Sequence, residues 1–272
     1  MHIAGFLWDV EGVLVADKRY QAVAGAVDFA KRVRAAGCPF RLISNNTTDD
    51  LPAIVAKLQR AGFDFTPSEV HTCAAEAVRR LRELHLHRCL VLGSPELRQI
   101  LTAAGFELTD AIDVDAVVVG MNLQMTYDDL QRACEAVLVH NAAFIALHQN
   151  RLFTDAEGRL APSVGAIVAA IEHATQATPI LIGKPSREYF QLALDELGLP
   201  VQRVLMVSDD PLSDLAGAKR MGMQTAFVHS GKYADNRVLE QVAEDLRPDI
   251  IVPRISDLLT DGGLVLEPAA RA

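Results

Sequence analysis

Two carboxylates, Asp9 and Glu11, follow the apolar run Phe6-Leu7-Trp8, and Gly12 comes directly after them. Such a run reads as a buried strand, so Asp9 stands at its carboxyl end and Gly12 lets the backbone turn sharply. Strand tips of this kind are where open parallel sheets bind ligands. Taken alone, Asp-x-Glu-Gly is more often a solvated turn than a site. It has company further along the chain. Phe40-Arg41-Leu42-Ile43 runs into Ser44-Asn45-Asn46, and Arg203 to Val207 runs into Ser208-Asp209-Asp210, with Asp214 shortly after. Two carboxylates at strand tips, Asp9 and Asp209, make a hard oxygen site suited to Mg²⁺, which takes one or two carboxylates and otherwise prefers water and phosphate oxygens. Lys184, between Gly183 and Pro185, would supply a point charge for a phosphoryl oxygen. The competing readings are plain: a lone lysine is ordinarily a solvated surface group, and Asp210 reads as a solvated loop carboxylate.

The elements that must position these residues alternate. Val23, Val27, Ala30 and Val33 recur at helical spacing within Ala22 to Arg34, and Gly37 stops that helix. A strand ends at Ser44, and Asp49 to Ala61 is helical again. Helices are expected over Ala74 to His85, Pro95 to Ala104, Tyr127 to Val139 and Val164 to Ala174, and strands at Arg88 to Leu92, Ala116 to Val119, Phe144 to Leu147 and Ile180 to Ile182. Asn150 to Pro162 reads as a loop. Arg187 to Leu197 reads as a helix, Leu215 to Arg220 as another, and Thr225 to Val228 and Ile250 to Val252 as strands before a polar tail. Strand-helix alternation of this kind means an α/β fold with doubly wound parallel sheets. Motif positions divide the chain into a core of residues 1–73 and 180–272 and an inserted α/β domain of residues 74–179.

Bulk properties exclude several classes. A chain of 272 residues with 50% hydrophobic side chains buries an ordinary core. A formal charge of -9 with no Lys/Arg block argues against nucleic acid and anionic membranes as partners. The four cysteines, Cys38, Cys73, Cys89 and Cys134, form no Cys-x-x-Cys pair, so they read as reduced thiols of a cytoplasmic protein. Neither a signal peptide nor a membrane span is visible. No Gly-x-Gly-x-x-Gly follows the first strand, which counts against a dinucleotide site.

The residues in order, Asp9 and Glu11, Ser44, Lys184, then Asp209 with Asp214, resemble the four motifs of the haloacid dehalogenase superfamily of phosphohydrolases. The resemblance spans most of the chain. The long insert between the second and third motifs is similar to the C2-type cap of subfamily IIA. Within that subfamily, Ile145 to Pro162 and Gly231-Lys232-Tyr233 look most like the phospholysine phosphohistidine inorganic pyrophosphate phosphatase group. The resemblance implies an Mg²⁺-dependent phosphatase acting on a small phosphorylated substrate. Asp9 would be the nucleophile, forming an aspartyl-phosphate. Asp9, the Glu11 main-chain carbonyl and Asp209 would hold Mg²⁺. Ser44, Asn45 and Lys184 would hold the transferring oxygens, and Asp214 would orient Lys184 or a water. Glu11 stands where the family carries its acid/base aspartate, and Ser208 where a glycine is common; a small residue there is expected to be tolerated. Two alternatives stand beside this: by analogy with the family, a phosphoramidate or pyrophosphate hydrolase, and, because Glu11 replaces the usual acid, a phosphate- and metal-binding remnant without turnover. His148, Asn150 and Arg151 fall in the cap's substrate-facing loop, and the family allows a homo-oligomer through the cap.

Overall fold

The computed structural model describes residues 2–16, 19–154, 159–260 and 263–267. By its internal contacts the chain forms two compact units, one of residues 1–44, 52–71 and 185–272, the other of residues 45–51 and 72–184.

In the first unit six strands make one sheet, in the order Ile250–Val252, Gln224–Val228, Val204–Ser208, Gly5–Trp8, Phe40–Ser44, Val70–Thr72. Gly5–Trp8 runs parallel to both neighbours, with Leu7 opposite Met206 on one side and Arg41 on the other. Side chains alternate across a strand, and a sheet covered on both faces needs apolar residues at every position. Leu7, Ile43, Met206 and Phe227 therefore pack on one face with Tyr189 and Phe190 of the helix Arg187–Leu197. Phe6 and Trp8 point the other way. Trp8 stacks on Phe40 at 4.5 Å between ring centroids and lies against Phe6, Phe29 and Phe65. Phe29 comes from the helix Ala26–Ala35. Trp8 is wholly buried. Trp8→Ala is therefore expected to cost about 3–5 kcal/mol, measured by urea unfolding followed by circular dichroism, since the variant has no tryptophan.

The second unit has its own five-stranded parallel sheet, ordered Ile180–Leu181, Ala143–Ala146, Ala116–Val119, Arg88–Leu92, Glu107–Leu108. Its two faces again take alternate residues: Val91, Val118 and Ile145 on one, Leu90, Val117 and Phe144 on the other. Helices Cys73–Glu83 and Pro95–Ala103 cover the first face, and Tyr127–His140 and Val164–Thr175 the second. Compared with boundaries at 73/74 and 179/180, this unit also takes in residues 45–51, 72–73 and 180–184. The physical ties are the pairing of Ile180 with Ile145 and two hydrogen bonds between Asn45 and Lys184.

Several stretches differ from the sequence reading: it did not include the strands Val70–Thr72 and Glu107–Leu108, and the helix read from Ala22 begins at Ala26. The expected loop from Asn150 to Pro162 contains an antiparallel pair, Leu152–Thr154 with Leu160–Pro162; its residues 155–158 lie outside the described residues. Strands of three residues carry too little alternation to be read. The expected polar tail holds Val265–Leu266, which pairs in parallel with His2–Ile3, and residues 268–272 lie outside the described residues. The expected helix from Leu215 is preceded by a wide turn over Pro211–Leu215, capped by the Asp210 side chain on Ser213 N at 3.0 Å, and runs over Ala216–Met221.

Candidate functional site

Asp9 directly continues its strand: its N–H still donates to Val207 O at 3.0 Å. Beyond it the chain folds back, with Leu14 N and Val15 N both donating to Val10 O. Asp9 is 7% exposed. Its Oδ1 accepts the Val10 N–H at 2.8 Å and its Oδ2 lies 3.3 Å from Ser208 Oγ. Ser208 is thus more than a small residue. Its one hydroxyl proton is shared between Asp9 Oδ2 and Asp214 Oδ2, the latter at 2.9 Å, and its oxygen accepts the Asp210 N–H at 3.1 Å, so one side chain ties Asp9 to the acidic loop.

Asp209 sits in a cradle of main chain. A Cβ on Gly12 would lie 2.3 Å from Asp209 Oδ2, and one on Gly231 would lie 1.9 Å from it. Gly12 is also at φ +82°, a conformation that glycine adopts without cost. Asp209 Oδ2 accepts the Lys232 N–H at 2.7 Å, and Ser230 Oγ donates to Gly12 O at 2.6 Å, which fixes the two loops together. Asp209 Oδ1, by contrast, is buried and has no hydrogen-bond partner among the described residues. Burial raises the Asp209 carboxyl above its ordinary value; Lys232 works against this, while Asp210 and Asp214 add to it.

Asp210 is not the solvated loop carboxylate that sequence suggests. It is buried, capped onto Ser213 N, and paired with Lys232 Nζ at 2.8 Å. Burial works to lower the Lys232 ammonium, yet Asp209, Asp210 and Asp214 together raise it well above the ordinary lysine value. Lys232 carries no role in the sequence reading. The available signal was a further apolar strand, Gln224–Val228, whose pairing beside Val204–Ser208 brings the segment after it to the same end of the sheet.

Of the remaining sequence candidates, Glu11 is partly buried on the turn after Asp9. Ser44 is wholly buried, and its carbonyl accepts the Tyr189 hydroxyl at 3.0 Å. Asp9, Ser44, Asp209 and Asp214 all belong to the first unit; Asn45 and Lys184 belong to the second. There the Asn45 carboxamide brackets the Lys184 peptide, accepting its N–H at 2.8 Å and donating to its carbonyl at 3.0 Å. Lys184 is 1% exposed, so it is no solvated surface lysine. Asn45 Nδ2 also reaches Asn150 Oδ1 at 3.2 Å, while His148 is buried with Nδ1 accepting the Asn150 N–H. Arg151 is exposed.

The residues that could hold a cation are the two strand-tip carboxylates, Asp9 and Asp209. Among the described residues no three Asp, Glu, His or Cys side chains form a metal-ligand group. The donors available are two carboxylates with main-chain oxygens, a set that suits Mg²⁺ completed by water and phosphate.

Residues 6–107 match the haloacid dehalogenase-like hydrolase model and residues 181–258 the HAD-hydrolase-like model. The phospholysine phosphohistidine inorganic pyrophosphate phosphatase of Xenopus laevis is 30% identical over 236 residues, covering 85% of each chain. The chain belongs to the haloacid dehalogenase-like hydrolases. Among solved structures of this family, the p-nitrophenyl phosphatase from Archaeoglobus fulgidus superposes with a TM-score of 0.84 at 25% identity, over 96% of this chain and 100% of that one. A glycerol phosphate phosphatase from Mycobacterium tuberculosis, in complex with calcium, gives a TM-score of 0.76 at 26% identity, over 93% of this chain and 74% of that one. This hydrolase is α/β throughout, with parallel sheets in both units. No described helix is long and apolar enough to cross a membrane.

Proposed function

We propose that this hydrolase is an Mg²⁺-dependent phosphatase that transfers the phosphoryl group of a small substrate first to Asp9 and then to water. The carrying observation is the buried pair of strand-tip carboxylates, Asp9 and Asp209, with one Asp209 oxygen clamped and the other left without a hydrogen bond among the described residues.

Asp9 attacks phosphorus in line; an aspartyl-phosphate divides one difficult displacement into two easier ones. The Val10 N–H and the Ser208 hydroxyl hold the carboxylate in one orientation, so the nucleophile is positioned before substrate arrives. Asp209 and the Glu11 carbonyl would hold the metal with Asp9, and the bound ion would offset repulsion between the carboxylate and the phosphate dianion. Ser44, the Asn45 amide and Lys184 are assigned to the transferring oxygens. The Asn45 carboxamide, which brackets the Lys184 peptide, fixes where that lysine begins. Asp214, held by Ser208, orients a water or Lys184.

Glu11 is assigned to leaving-group protonation. Its carboxyl is one methylene further from the backbone than that of aspartate, and a misplacement of about 1 Å can cost on the order of a hundredfold in rate. Turnover is therefore expected to be slow with alkyl phosphates and faster with p-nitrophenyl phosphate, whose leaving group needs little protonation. Glu11→Gln should slow alkyl phosphate hydrolysis by on the order of 10²-fold and barely change p-nitrophenyl phosphate hydrolysis; equal rates on both would leave Glu11 with only its main-chain carbonyl. The likeness to the Xenopus laevis phosphatase supports a second reading, in which the substrate is a phosphoramidate or a pyrophosphate. Phosphate release from sugar phosphates, nucleotides, pyrophosphate and phosphoramidates in the presence of Mg²⁺ separates the readings. Release from none of them would contradict both and favour a binding protein without turnover.

A further inference from the structure

We infer that Lys232 is a built-in counter-cation that sets how tightly the Asp9–Asp209 cluster takes up a divalent cation, an inference that rests on the metal-assisted reading above. Lys232 meets the acidic loop twice. Its main-chain N–H clamps Asp209 Oδ2 at 2.7 Å, and its ammonium pairs with Asp210 Oδ2 at 2.8 Å. This is no solvent-exposed ion pair of little consequence: the Asp210 side chain is 8% exposed and that of Lys232 21%. A surface pair would be screened by water and salt, but a pair set this deep acts on its neighbours with little screening.

Asp209, whose Oδ1 has no hydrogen-bond partner among the described residues, immediately precedes Asp210 in the chain. A fixed positive charge paired with Asp210 and felt by Asp209 repels an incoming divalent ion, while in the ion's absence it compensates Asp209, Asp210 and Asp214. Both effects follow from one charge, and they have opposite signs for the loaded and the metal-free protein. The loop geometry separates cleanly from the charge. The clamp on Asp209 is made by the Lys232 main chain, so a side-chain substitution removes the ammonium and leaves that hydrogen bond.

The test is calorimetric titration of the full chain with MgCl₂, together with its melting temperature with and without Mg²⁺. Lys232→Met is expected to bind Mg²⁺ on the order of tenfold more tightly and to melt at a lower temperature when metal-free. Asp210→Asn, which removes a negative charge from the same pair, is expected to bind on the order of tenfold more weakly. Lys232→Arg keeps the charge and is expected to stay near the wild type. The opposite signs are decisive, because loss of a purely structural contact would weaken binding in both Lys232→Met and Asp210→Asn, and that result overturns the inference. So does unchanged affinity in Lys232→Met. If Lys232→Met does not fold, Lys232→Gln takes its place: tighter Mg²⁺ binding supports the inference and unchanged or weaker binding overturns it, as does unchanged binding by Asp210→Asn. Asp209→Asn distinguishes the two levels of the argument. If it binds Mg²⁺ as the wild type does, the cation site itself is elsewhere and both readings fall; if it loses binding while Lys232→Met is unaltered, only the counter-cation role falls.

Discussion

Asp9→Asn abolishes phosphate release, lowering kcat by on the order of 10³-fold or more, while the melting temperature stays near that of the wild type. The amide has nearly the shape of the carboxylate and still accepts the Val10 N–H through its oxygen. What it lacks is the negative charge that makes the oxygen a nucleophile and a metal ligand. Its second position faces Ser208 Oγ, and that hydroxyl can turn to accept from the new NH₂. The loss is therefore expected in kcat with the fold intact. Turnover within tenfold of the wild type, in a preparation free of wild-type protein, would remove Asp9 from the nucleophile's role.

Gly231→Ala has the next largest effect, although position 231 carries no side chain to take part in chemistry. A Cβ there would meet Asp209 Oδ2 at 1.9 Å, so either the loop or the carboxylate must move. Movement of the loop breaks the bond from Lys232 N to Asp209 and draws the Lys232–Asp210 pair with it. Overpacking of this kind costs about 1–3 kcal/mol, and a shift of about 1 Å at Asp209 lowers kcat by on the order of a hundredfold. Urea unfolding and phosphate-release kinetics on the same preparation measure both. A variant with wild-type stability and turnover would mean that the cradle around Asp209 plays no part in holding it.

The sheets and the helices against them were largely legible in the sequence, because strands buried on both faces read as unbroken apolar runs; Arg88–Leu92 and Ala116–Val119 end where those runs end. The short pairs His2–Ile3 with Val265–Leu266 and Leu152–Thr154 with Leu160–Pro162 were not, since two or three residues carry no period. The same contrast holds within the site. Asp9 and Asp209 stand out as carboxylates ending apolar strands, a signal carried by their immediate neighbours. Ser208 was read only as a small residue. Its hydroxyl acquires meaning through Asp9, nearly two hundred positions away, and through Asp214 on the following turn. Asp210 and Lys232 were illegible for a related reason. Each alone resembles a surface charge, and only the parallel pairing of Val204–Ser208 with Gln224–Val228 brings the segments after both strands together at one end of the sheet. Sequence alone was likewise silent on the bond from Asn45 to Asn150.

The stereochemical course at phosphorus tests the double displacement most directly. A phosphate monoester made chiral at phosphorus with sulfur and an oxygen isotope, hydrolysed in water of a second isotope, reports the number of in-line displacements. Attack by Asp9 followed by attack of water inverts phosphorus twice. The product is therefore expected with net retention. Net inversion would show that water attacks the substrate in one step, and would contradict an aspartyl-phosphate on Asp9.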